Sequence, residues 1–115
     1  MKYMLLIWGD GTDPDGTAAA QVCEAGWTPW VAEMHERGVV LHDGGTLASA
    51  SNSATVRVSG PEVLVTDGPF AETKEQVGGY QLIECAHLDQ AIHAASRHPL
   101  AQSGLIVEVR PIVPL

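Results

Sequence analysis

The stretch KYMLLIW, Lys2–Trp8, decides how the rest of the chain is arranged. In an extended strand successive side chains point to opposite faces. Met4, Leu6 and Trp8 then share one face, and Tyr3, Leu5 and Ile7 share the other. Both faces are apolar, so this strand wants cover on both sides. The run is too short to span a bilayer. A single Lys precedes it and no small-residue cleavage site follows, which is not the pattern of a secretory signal.

At 115 residues the chain suits one domain, residues 1–115, able to bury a real core. The formal net charge is −8, and the six Lys and Arg are scattered at Lys2, Arg37, Arg57, Lys74, Arg97 and Arg110. No basic run exists to neutralise a phosphate backbone, which argues against direct nucleic-acid binding. The acidity equally removes any attraction to an anionic membrane surface. Cys23 and Cys85 lie far apart, without CxxC or Cys/His spacing, and read as buried, reduced thiols of a cytoplasmic protein, a disulfide between them being the alternative.

Working outward from Lys2–Trp8, Gly9–Gly16 is a loop of turn formers. Thr17–Arg37 carries a helical stripe of Cys23, Trp27, Trp30 or Val31, and Met34. Pro29 lies inside it, so a kink or restart is expected near Gly26–Thr28, with Thr28 capping a second segment and Gly38 stopping it. Val39–His42 reads as a short strand and Asp43-Gly44-Gly45 as a turn. Ala54–Val58 and Glu62–Thr66 form a hairpin around Ser59-Gly60-Pro61. Tyr80–Cys85 is a strand. Leu88–Arg97 is a helix, with Leu88, Ala91, Ile92 and Ala95 on its apolar face and Pro99 ending it. Leu105–Val109 is the last strand.

The order β-α-β, hairpin, β-α-β predicts an α+β fold, a ferredoxin-like split β-α-β sandwich with an inserted hairpin. Two helices cover one sheet face only. The second apolar face of Lys2–Trp8, and a last strand whose apolar run breaks only at Glu108, then call for an interface. A homodimer packed sheet to sheet follows.

With these elements in place, the opening MKYMLLIWGD, the central LVTDGPFAETKEQVGGYQLIE, the HLDQAIHAASRHP helix and the closing VEVRPI closely resemble the DGPF branch of the YCII-related family. The resemblance covers nearly the whole chain; only Gly11–Val22 and Asp43–Ser53 are individual. It implies a dimeric α/β barrel, a mostly unassigned biochemical function, and an association of some members with extracytoplasmic-function sigma factors. It also implies that some relatives are enzymes using a His-Asp pair, the Asp standing before Pro-Phe.

The central block contains the best candidate group. Asp67 of Asp67-Gly68-Pro69-Phe70 has two readings: a turn residue that accepts backbone N–H groups, with Phe70 plugging the core, or an acid/base group whose pKa is moved by burial. For a His partner the chain offers His42, beside Asp43. His35 lies off the apolar stripe, His87 sits at a cap, and His93 and His98 read as surface residues. No His is visibly placed in the first helix to complete the pair. Asp67 and His42 are therefore the catalytic candidates, with Lys74, Glu75, Tyr80 and Phe70 as ligand contacts. The loop charges of Glu72, Lys74 and Glu75 read equally as a solvated rim. Gly78-Gly79 lacks the strand-before, helix-after setting of a phosphate loop, and reads as a close approach or a bulge. Glu84, Glu108 and Arg110 fit an Arg–carboxylate pair in the dimer interface. No HxH, HExxH, GxSxG or P-loop pattern occurs, so no metal or cofactor is expected. Two functions follow: a small-molecule enzyme or binder, or a regulatory protein contacting a sigma factor.

Overall fold

A computed structural model describes residues 1–115. The chain runs β1 (Lys2–Gly9), α1 (Thr17–Glu36), β2 (Val40–Thr46), a 3-10 turn at Ala50–Asn52, β3 (Ala54–Ser59), β4 (Glu62–Asp67), β5 (Gln76–Glu84), α2 (Leu88–Arg97), α3 (Pro99–Gln102) and β6 (Ile106–Pro111). Four strands form an antiparallel sheet in the order β2-β5-β1-β6, and β3-β4 stands apart as a hairpin. β1 is therefore interior, paired on both edges with β5 and β6. The order is that of a split β-α-β arrangement, each helical crossover stepping over one antiparallel strand.

The two faces of the sheet fare differently. Tyr3, Leu5, Ile7 and Ile83 are buried beneath the helices with Trp30, Met34, Ala91, Ala94 and Ala95. Trp30 also donates its indole N–H to the Ala94 carbonyl at 3.1 Å, tying α1 to α2. The register sets Leu6 opposite both Tyr80 and Glu108, and Met4 opposite both Leu82 and Arg110. These residues point away from the helices, and no element of the chain covers them.

α1 is one continuous helix through Pro29, with no second segment restarting at Thr28. The proline forfeits a single intrahelical bond, while the Trp30 and Met34 face on the core holds the helix together. The Asp13 carboxylate caps it from the preceding loop, accepting from the Ala18 and Ala19 amides at 3.1 and 3.0 Å. Gly26 lets α1 come close to α3: a Cβ there would lie 2.9 Å from the Pro99 ring.

Asp43-Gly44-Gly45 is not a turn. It continues β2, with Gly44 and Gly45 paired to Gln81 and Tyr80 after a bulge at His42-Asp43. β5 likewise starts four residues earlier than Tyr80. Gly78 is the extra residue where the β1 register slips between Ile7 and Trp8, the bulge the Gly pair suggested. On α2 the buried residues are Ala91, Ala94 and Ala95, whereas Leu88 and Ile92 stay 45% and 48% exposed. The small alanines let the helix sit close to the sheet and leave the larger side chains at its margin.

The β3–β4 hairpin is an arm. Val56 faces Val65 and Val58 faces Val63 in register, so four valines share one face, and each is 62–65% exposed. The radius of gyration is 15.9 Å and the extents are 50 × 36 × 19 Å, against about 13 Å for a compact chain of this length. No helix is long and apolar enough to cross a membrane.

Candidate functional site

The DGPF turn leaves the end of β4 and forms one wall of a cleft at the end of the sheet. Gly68 adopts φ +91°, a conformation that favours glycine. Its N–H donates to the Ser53 carbonyl at 2.7 Å and its carbonyl accepts from the Thr55 hydroxyl at 2.8 Å, so the turn is pinned to the start of β3. Pro69 then borders two adjoining cavities of about 460 and 490 Å³. They share Leu47–Ala50, Pro69, Thr73, Gln76 and Val77 as a common wall, and together they form the cleft region. A cleft in this range is ligand-sized.

Its lining charges are all acidic, with the exposed Lys74 near enough to act on Asp10. Asp10, Asp13 and Glu72 border one cavity and Glu75 the other, and no Lys or Arg borders either. The hydroxyl of Thr12 donates to Asp10 Oδ1 at 2.6 Å and the Thr12 amide to the same oxygen at 3.0 Å. Those bonds, the hydroxyl's first, hold the Asp10 carboxyl below its ordinary range. Such a wall suits a neutral or cationic molecule and repels an anion.

The sequence-derived candidates are dispersed around this cleft. Asp67 is exposed at the β4 terminus, two residues from the Pro69 wall, and its carboxylate makes no hydrogen bond. Glu75 borders the cleft and Lys74 is exposed beside it. Phe70 is not a core plug: it is 76% exposed, with the Arg57 guanidinium 5.5 Å from its ring centre. Tyr80 borders a separate small cavity. His42 lies at the other end of the sheet, where its Nε2 meets Glu84 Oε1 at 3.0 Å. That bond is the first cause that holds the Glu84 carboxyl below its usual pKa range. The structure therefore pairs His42 with Glu84, not with Asp67.

Sequence reasoning missed Asp10, Leu47–Ala50 and Gln76 as cleft walls, since loops far apart in the chain carry no shared periodic signal. It also read His98 and His93 as surface residues. His98 is 1% exposed, and the Nε2 of His93 is buried without a partner. No group of three or more His, Cys, Asp or Glu side chains is arranged to hold a metal ion.

The fold and cleft define a class: a small α+β protein with an antiparallel sheet, helices on one face, and an acidic cleft at one sheet end. The YCII-related domain matches residues 1–115, and the chain belongs to the YCII-related family. It is also 46% identical over 70 residues to an uncharacterized protein of Rhizobium meliloti (strain 1021), a match covering 57% of this chain and 54% of that protein. The match thus spans about half the length of that curated relative.

Proposed function

We propose that the protein is a homodimer that binds a small neutral or cationic molecule in the cleft beside the DGPF turn. The observation that carries this reading is the pair of adjoining cavities walled by Pro69, Glu75 and the Asp10 loop, with Asp67 two residues before Pro69 in the chain. Asp67 serves there as the acid/base group, while Glu75, Lys74 and Phe70 contact the ligand at the rim. Tyr80 and His42 lie outside the cleft of one protomer and join the site only through a second copy.

The dimer is supported by the uncovered apolar sheet face and by the valine face of the arm. Two sheets packed on those faces would form the dimeric α/β barrel that the family resemblance implies. A second reading, a regulatory protein acting through contact with a sigma factor, draws on the same naked valines.

The test is an amide-resolved NMR screen of uncharged and cationic fragments against the wild type and Asp67→Asn. Shifts at Leu47–Ala50 and Gln76 that vanish in Asp67→Asn, with an unchanged melting curve, support the site. Binding that survives the substitution removes Asp67 from it. For the regulatory reading, no complex with the cognate sigma factor at micromolar concentration would count against it.

A further inference from the structure

A smaller cavity of about 190 Å³ lies inside the helix–sheet layer. It is bounded by Ile7, Cys23, Trp27, Gln81, His98 and Leu100, with the β2 and β5 glycines closing the sheet side. It shares only Ile7 and Gly78 with the acidic cleft, so it is a different place in the fold. No Asp, Glu, Lys or Arg borders it.

Two nearly buried polar side chains leave an atom unpaired there. His98 Nδ1 accepts the Leu100 amide at 3.1 Å. A neutral imidazole that accepts at Nδ1 carries its proton at Nε2. Nε2–H makes no hydrogen bond within the chain, and His98 is only 1% exposed. The rings of Trp27 and Trp30 stand edge-on to the imidazole at 6.1 and 4.8 Å and hold it in place. Gln81, 4% exposed, donates through Nε2 to the His42 and Leu82 carbonyls at 2.7 and 3.0 Å, leaving its Oε1 without a donor. Buried polar groups are ordinarily paired. Here one donor and one acceptor border the same uncharged, largely apolar space.

We propose that this cavity binds a neutral, ring-sized molecule bearing one hydroxyl, which accepts from His98 Nε2–H and donates to Gln81 Oε1. Size and charge narrow the class. A dry cavity of about 150 Å³ holds benzene, so this one takes a single ring with a substituent. It is below the roughly 300 Å³ at which drug-sized pockets begin. An anion would be buried without a counter-charge, which is strongly unfavourable. The cavity is complete within one protomer and stands whether or not the cleft reading holds.

Phenol is the probe. In amide-resolved NMR titrations of the whole chain it should give saturable shifts at Leu100, Cys23 and Ile7, with a Kd of about 1 mM or tighter for a ligand of this size. Benzene should bind about tenfold more weakly, lacking both hydrogen bonds, and inorganic phosphate should shift none of these residues. His98→Asn keeps an oxygen to accept the Leu100 amide but removes the Nε2–H, and should reduce phenol affinity to the level of benzene. Cys23→Met fills the cavity and should abolish both. The proposal is overturned if phenol gives no saturable shifts at these residues, or if His98→Asn binds it as the wild type does. If His98→Asn does not fold, undiminished phenol binding by Cys23→Met overturns it instead, and loss of that binding supports it.

Discussion

Trp8 donates its indole N–H to Glu108 Oε1 at 3.0 Å across the β1–β6 pair, on the sheet face that no helix covers. The other oxygen of Glu108 accepts from Arg110 Nε at 2.9 Å. The Arg110 bond, and then that of Trp8, holds the Glu108 carboxyl below its usual range. An organised ion pair thus stands among Met4, Leu6 and Leu82, which have no cover within the chain. An ordered ion pair within an apolar patch is consistent with the dimer interface proposed for this face.

Leu6→Glu should make the proposed dimer monomeric, because it puts an unpaired charge at the centre of that face. Sedimentation velocity at micromolar concentration reads the change, with circular dichroism confirming that the protomer stays folded. A Leu6→Glu protein that remains dimeric would place the interface elsewhere. Val56→Glu, on the arm, then tells whether the valine face carries it.

Trp30→Phe should destabilise the protein by about 2 kcal/mol. It keeps most of the buried ring but strips the Ala94 carbonyl of its indole donor, and a buried unsatisfied group costs about 1–3 kcal/mol. Urea unfolding should show a lower midpoint at an unchanged slope. An unchanged midpoint would mean that water satisfies this carbonyl.

Acid should destabilise the protein in two stages. Burial lowers the His98 pKa from 6.5 to about 4. Between those values the unfolded chain holds a proton that the folded one does not, so stability is full above about pH 6.5 and falls as pH drops towards 4. The loss approaches about 3 kcal/mol. Glu33, whose acidity is raised chiefly by its hydrogen bond from Arg97, and Glu84 and Glu108 add their loss only below their unfolded value of 4.5. Urea midpoints at pH 7, 5.5 and 4.5 should fall in the wild type, while His98→Asn should be flat down to about pH 5. Parallel slopes in the two proteins would assign the first stage to another group.

Gly26→Ala should lower stability by about 1 kcal/mol. Alanine favours a helix by nearly 1 kcal/mol, but its methyl would lie 2.9 Å from the rigid Pro99 ring, and overpacking of this kind costs about 1–3 kcal/mol. The melting temperature should drop by about 5 °C. A rise would show that α3 shifts freely away from α1.

Much of the fold is legible in short stretches. The apolar run of Lys2–Trp8 marked a strand needing cover on both faces, Ser59-Gly60-Pro61 marked the hairpin, and His87 marked the start of α2, where its Nδ1 accepts the Gln90 amide. The candidate site is far less legible. Pro69, Leu47 and Asp10 face one cleft only because three loops end at the same edge of the sheet.

The sequence by itself determined the order of the main elements and the family, because apolar runs, turn chemistry and the DGPF block are local signals, while the central position of β1 came from its pairing with β5 and β6. Tertiary structure alone decided that Gly44 and Gly45 continue β2, since only pairing with β5 makes an extended Gly-Gly favourable. It decided likewise that His98 is buried between two tryptophans while Phe70 is exposed. Burial depends on which element arrives opposite a residue, and nothing in its neighbours along the chain encodes that.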